Sequence, residues 1–126
     1  MDDNCIFCRI VKGELPSHKI YEDEHFMAFL DIHPLSPGAA QIIPKKHYRW
    51  VWDVPDVKSF FELSRKVAKA QRKVFNTEWI LSKIVGDEVG HAHIWVYPNN
   101  DTLGDKMDFE GNAEKLKKEM EEIKVG

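Results

Sequence analysis

The run His91-Ala92-His93-Ile94-Trp95-Val96 alternates strictly, and that alternation restricts what the chain can build. Side chains two apart on a strand point the same way. His91, His93 and Trp95 therefore share one face, and Ala92, Ile94 and Val96 share the other. An apolar strand face has to be buried against another layer. The run thus predicts a sheet with a core on one side and two imidazoles on the other. Such a pair can hold a metal, act on a phosphoryl group, or do both. A Gly-rich, acidic approach, Gly86-Asp87-Glu88-Val89-Gly90, leads into it.

The rest of the chain supplies elements for such a sheet. Residues 5–12 predict a short turn or helix. Ser17 to Tyr21 predicts a strand turning at Glu22-Asp23-Glu24, and Phe26 to Leu30 a core strand. Leu35-Ser36-Pro37-Gly38 is a turn. Ala39 to Pro44 is the next strand, ended by a residue without an amide donor. A long helix is expected to start near Asp53 or Pro55, with Asp53 as its cap. Val57, Phe60, Phe61, Ser64, Val67, Ala68, Gln71, Val74 and Phe75 recur at helical spacing, and Asn76 would end the run. Arg65, Lys66, Lys69, Arg72 and Lys73 form its solvated side. Further strands start at Trp79 and run from Val89 to Tyr97. Pro98 to Asp108 has loop character, and Ala113, Leu116, Met120 and Ile123 mark a last helix. The fold class is α+β, an antiparallel sheet covered by a long helix, in one domain spanning residues 1–126.

Composition narrows the function classes. With 126 residues, 43% of them hydrophobic, one domain can bury a core of its own. A net charge of −3 argues against broad, sequence-independent nucleic-acid binding, which needs a basic face. No run approaches the about 18 apolar residues that span a membrane. Met1-Asp2-Asp3-Asn4 lacks the basic and apolar regions of an export signal, so a cytoplasmic protein is expected. Both cysteines lie in Cys5-x-x-Cys8, which suits a redox pair or half of a zinc site, and spacing alone does not choose.

Several segments occur in a telling order: Cys5-Ile6-Phe7-Cys8-Arg9-Ile10, Tyr21-Glu22-Asp23-Glu24, Ala28-Phe29-Leu30-Asp31-Ile32, Pro37-Gly38, Ile42-Ile43-Pro44-Lys45-Lys46-His47 and His91-x-His93. Together they resemble the histidine-triad nucleotide-binding family, whose signature is His-x-His-x-His followed by two apolar residues. The resemblance implies a five-stranded antiparallel sheet, a homodimer, and a purine nucleotide or related nucleoside phosphate as ligand. It makes His93 the nucleophile on an α-phosphorus, forming a nucleotidyl-histidine that water resolves. Dinucleoside polyphosphates and nucleoside phosphoramidates are the implied substrates. Asp31 would accept the ribose hydroxyls, with a turn cap as its other reading. Phe7, Ile10, Phe29 and Ile43 would wall the base, and Trp95 would lie near the phosphate. In the zinc-bearing bacterial branch of that family, the positions matching Cys5, Cys8, His47 and His91 bind zinc. Two thiolates and two imidazoles complete a tetrahedral site, so such a zinc is structural.

The sequence departs from the family pattern in three places. Trp95 stands at the third histidine, and indole donates one hydrogen bond but does not titrate. Asp87 and Glu88 stand where the family has Gln and Ser or Thr facing phosphate. The path from Trp79 to Gly86 is short and lacks the family's phosphate-contacting Asn, leaving Ser82 or Lys83 to take its place. Two alternatives to hydrolysis therefore stay open: a nonenzymatic nucleotide-binding or regulatory protein, and transfer of the nucleotidyl group to another acceptor. His18, His25 and His33 form no constellation, and Trp50 and Trp52 read as packing or dimer contacts.

Overall fold

The computed structural model describes residues 4–123; of the Met1-Asp2-Asp3-Asn4 segment, from which no export signal is expected, the first three residues lie outside them. In chain order come α1 (Ile6–Val11), β1 (Lys19–Glu22), β2 (Phe26–Leu30), β3 (Ala40–Pro44), a 3-10 turn (Val51–Asp53), α2 (Val57–Val74), β4 (Ile80–Lys83), β5 (Ile94–Pro98) and α3 (Phe109–Glu122). The five strands form one sheet in the order β1-β2-β3-β5-β4. Every neighbouring pair is antiparallel. No helix among the described residues is long and apolar enough to cross a membrane.

The two faces of the sheet carry different contents. On one face Phe60, Val67 and Ala70 of α2 and Leu116 and Met120 of α3 pack against Ala28, Leu30, Ala40, Ile42, Ile94 and Val96. Burying each large apolar side chain there contributes about 1.5–3 kcal/mol. On the other face α1 brings Cys5, Phe7 and Cys8 against Met27, Phe29 and Ile43. Strands β2 and β3 are consequently buried along both faces. Strand β5 alternates buried and half-buried residues, because α1 does not extend over it.

Helix α2 begins later than the sequence suggests. Its N-cap is Asp56, whose carboxylate accepts from the Ser59 amide at 3.1 Å. Asp53 instead ends the 3-10 turn. The reason is Pro55: the residue before a proline is pushed out of the helical region, and Val54 sits at φ −70°, ψ 119°. A helix begun at Asp53 cannot run through that residue. The far end follows expectation, with Asn76 in the left-handed region at φ 51° just past the helix. Along the helix Phe61 turns outward, whereas Leu63 and Ala70 join the buried stripe.

Gln71 is the one fully buried amide on α2. Its Nε2 donates to the carbonyls of Gly38 and Val96, both at 2.9 Å, and so ties the turn before β3 to β5. Gly38 adopts φ +73°, and a Cβ there would collide with the Phe75 ring.

Strand β5 is shorter than the alternation predicts. Its ladder starts at Ile94, not Val89, and Val89 to His93 is irregular. The partner strand explains this. Ile94 pairs with Ile42, and β3 ends two residues on at Pro44, which has no amide to donate. The Pro44 carbonyl is taken by a side chain, His91 Nε2 at 2.8 Å. The Ala92 amide reaches past it to the Tyr48 carbonyl at 2.6 Å. The predicted sidedness survives without the ladder: Ala92 joins the α2 core, whereas His91 and His93 lie against Phe7.

Candidate active site and metal cluster

The first turn of α1 presents two sulfurs in one direction. Cys5 is the N-cap, and its Sγ accepts from the Cys8 amide at 3.3 Å. Cys8 Sγ lies 3.2 Å from His47 Nδ1. His91 Nδ1 lies 3.3 Å from Cys5 Sγ and 3.5 Å from Cys8 Sγ. One ligand atom from each of the four residues falls within 4.8 Å of all the others. A tetrahedral ion with metal–sulfur bonds of about 2.3 Å and metal–nitrogen bonds of about 2.0 Å sets sulfur–nitrogen separations near 3.5 Å. The four predicted ligands are thus brought together as a cluster able to coordinate a metal ion.

His91 is set up for that role by its other nitrogen. Nε2–H donates to the Pro44 carbonyl, which fixes the tautomer and leaves the Nδ1 lone pair toward the sulfurs. The ring is completely buried, and burial pushes its pKa down to about 4, so it stays neutral.

His93 uses the opposite tautomer. Its Nδ1–H donates to the His91 carbonyl at 2.7 Å. No described residue hydrogen-bonds its Nε2. Burial lowers the pKa below the ordinary 6.5, opposed by the His91 carbonyl and by the carboxylates of Glu88, Asp31 and Asp87. A neutral imidazole with one outward lone pair is a competent nucleophile. The acidic loop is therefore close enough to His93 to act on it electrostatically.

The residues expected around the nucleoside gather on the same side. The Phe7 ring stands edge-on to His93 at 5.3 Å and to Phe29 at 5.6 Å. Ile10 packs against this cluster from α1, and Ile43 is fully buried beneath it. Asp31 Oδ1 accepts from the His33 amide at 2.9 Å, closing a turn. Its second oxygen has no hydrogen-bond partner among the described residues, so the turn role does not consume the carboxylate. The Trp95 ring centroid lies 6.0 Å from that of His93. The His18 ring stacks on Phe109 at 5.3 Å. Trp50 packs under Arg49, and Trp52 is exposed.

Two residues escaped the sequence reading or stayed undecided in it. Gln41 sits in the otherwise apolar strand Ala40–Pro44, and its Oε1 is buried with no partner. A lone amide in an apolar run was the available clue. Lys83 places its Nζ 3.7 Å from the Trp95 ring centroid. Ser82, the other replacement considered for the missing Asn, spends its hydroxyl on the Trp95 carbonyl at 2.8 Å.

A family model, the HIT domain, matches residues 12–102. The chain belongs to the HIT family. Among its HIT relatives, an uncharacterised HIT-like protein of Methanocaldococcus jannaschii is 35% identical over 114 residues, covering 83% of this chain and 86% of the relative. An adenosine 5'-monophosphoramidase of Schizosaccharomyces pombe is 37% identical over 98 residues, covering 75% of this chain and 74% of its own. The crystal structure of a zinc-bound histidine triad family protein from Mycobacterium smegmatis superposes with a TM-score of 0.82 at 29% identity, covering 94% of each chain.

Proposed function

We propose that this HIT protein binds a purine nucleotide or nucleoside phosphate and hydrolyses it at the α-phosphorus through His93. The observation that carries this reading is the His93 tautomer: Nδ1–H is held by the His91 carbonyl at 2.7 Å, which leaves Nε2 unprotonated and directed away from the backbone. The Nε2 lone pair attacks phosphorus, and the bond from phosphorus to the leaving group breaks with its electron pair going to that group. Water then attacks the nucleotidyl-His93 phosphorus and loses a proton to solvent, while the phosphorus–Nε2 bond breaks with its electron pair returning to Nε2, which restores neutral His93. Asp31 accepts a ribose hydroxyl through its second oxygen, and Phe7, Ile10, Phe29 and Ile43 form the apolar wall and floor for the base. The monophosphoramidase relative supports a nucleotide substrate.

Cys5, Cys8, His47 and His91 would hold a structural zinc, in keeping with the donor set and with the zinc-bound relative. Four protein ligands leave no coordination position for water or phosphate. The chemistry this ion supplies is cross-linking, not activation. We also propose a homodimer. Strand β4 is a sheet edge flanked by exposed Trp79 and Val85, and sedimentation velocity would test it.

One observation favours a binding protein without turnover: three carboxylates, Glu88, Asp31 and Asp87, act on His93 from nearby and would repel a phosphate. The deciding experiment is intact-protein mass after brief incubation with adenosine phosphoramidate or diadenosine polyphosphate, on wild type and His93→Ala. The expected result is a nucleotidyl adduct or rapid product in wild type alone. Nucleotide binding with neither adduct nor product over a long incubation would establish the binder instead. Turnover retained in His93→Ala would remove the nucleophile assignment.

A further inference from the structure

We propose that Lys83 and Trp95 form a leaving-group subsite beside His93 that selects anionic leaving groups, so that phosphoanhydrides are cleaved in preference to phosphoramidates. This inference rests on the proposed hydrolase reading and names the substrate class within it.

Register places the parts. Gln41 of β3 and Lys83 of β4 are both direct cross-strand partners of Trp95 on β5. Directly paired residues project from the same face of an antiparallel sheet. Gln41, Trp95 and Lys83 therefore form one row, and its central member, Trp95, has its ring centroid 6.0 Å from that of His93. Ser82 pairs with Val96 and belongs to the opposite face.

The row carries a charge with no partner of its own sign-opposite kind. Lys83 Nζ rests 3.7 Å from the Trp95 ring centroid, and Lys83 forms no ion pair among the described residues. The indole holds the ammonium in place by cation–π attraction without neutralising it. Two further polar atoms in the row, Gln41 Oε1 and Trp95 Nε1, are buried with no hydrogen-bond partner. Native proteins seldom leave such atoms unpaired, and these two lie in the same row as the Lys83 ammonium.

The chemistry of Trp95 then fixes which leaving group fits. Indole does not titrate, so it cannot hand a proton to a departing amine. A phosphoramidate nitrogen must gain a proton to leave, whereas a phosphate oxygen of an anhydride leaves with the electron pair as a stable anion. Lys83 compensates the charge that develops on that oxygen.

The test compares kcat/KM for diadenosine tetraphosphate with that for adenosine phosphoramidate in wild type, Lys83→Gln, Lys83→Arg and Trp95→His. The ratio is expected to favour the anhydride in wild type and to fall about tenfold in Lys83→Gln, the worth of one charge-assisted hydrogen bond. Lys83→Arg should keep the ratio, and Trp95→His should shift it toward the phosphoramidate. A binding arm uses a methylene analogue of diadenosine tetraphosphate against AMP, by calorimetry. Lys83→Gln should weaken the analogue about tenfold more than AMP. Equal losses on both ligands, or none on either, overturn the subsite and leave the hydrolase reading standing. A wild type that neither binds nor turns over any of these compounds overturns the hydrolase reading and the subsite with it.

Discussion

Replacing Gln71 by leucine tests how the helix layer holds the site in position. The wild-type amide sends both Nε2 hydrogens to backbone carbonyls, Gly38 and Val96, at 2.9 Å each. Leucine has similar volume and fills the space but donates nothing. The Gly38 carbonyl left unpaired costs about 1–3 kcal/mol, and losing the second bond to the Val96 carbonyl, which also faces Ala40 across the ladder, costs about 0.5–1.5 kcal/mol. The Gln71 Oε1 has no partner in the wild type, so its removal offsets a part of that. A net loss of about 1–3 kcal/mol follows. At about 2.1 cal/mol/K per residue, a chain of this length has an unfolding entropy near 0.26 kcal/mol/K, so Tm should fall by about 4–12 °C. Differential scanning calorimetry reads this directly, and a drop below about 3 °C would mean that the two carbonyls are satisfied without the amide. Gln71→Glu sharpens the test. At neutral pH it sets a buried carboxylate against two carbonyl oxygens and should be less stable than the leucine variant. Burial raises a glutamate pKa, so this excess penalty is absent below the ordinary value of about 4.3 and grows as pH rises through the raised one. A pH-independent gap between the two variants would refute the donor argument.

Other outcomes follow from the cluster and the imidazoles. Cys8→Ser, or chelation of the wild type, should remove bound zinc. The Cys8–His47 link spans 39 residues. For a loop of that size the chain-entropy relation gives about 4 kcal/mol, or about 15 °C in Tm; unchanged zinc content by mass spectrometry would reject the ligand set. In the proposed mechanism His93 attacks only when neutral, and burial holds its pKa below 6.5. The acidic limb of the pH–rate profile should therefore lie below 6.5, and a limb above it would contradict the assignment. In metal-free protein both His91 and His93 take up protons less readily folded than unfolded. Stability should then decline as pH falls from 6.5 toward about 4, followed by chemical denaturation at several pH values.

Much of this arrangement is legible in residue order because local chemistry dictates it. Phe26 to Leu30 is a strand with the predicted bounds, since five consecutive apolar residues between turns suit a strand covered on both faces. Cys5-x-x-Cys8 folds as one helical turn, which brings two sulfurs to one point. What escaped depends on partners far away in sequence. The alternation from His91 onward is real, but a ladder needs a neighbour, and β3 stops at Pro44. Lys83 and Ser82 were equivalent candidates because a shift of one residue exchanges the faces of a strand. Only the pairing of Lys83 with Trp95 decides between them. Gln41 stands out in sequence as a lone amide in an apolar run, but only the fold shows its Oε1 to be buried without a partner.

His91 links the two halves of the site through three different atoms. Nδ1 faces the sulfurs, Nε2 donates to Pro44, and the carbonyl receives Nδ1–H of His93. The segment from Val89 to His93 has no strand ladder to hold it. Besides the Ala92 amide on Tyr48, its position depends on what its side chains grip. Loss of the proposed metal would free the His91 ring, let its carbonyl shift, and so release the tautomer and aim of His93. A small misplacement of a reacting atom is costly to a chemical step. Cys5→Ser, a change on the sulfur side of His91, should then lower kcat by more than it raises KM, although an ion held by four protein ligands has no open position for bond breaking. Hydrogen exchange should speed up at Ala92 and His93 while Ile94 to Tyr97 keeps its protection. A variant that has lost its zinc but turns over substrate at the wild-type rate would show that the nucleophile is positioned without the metal.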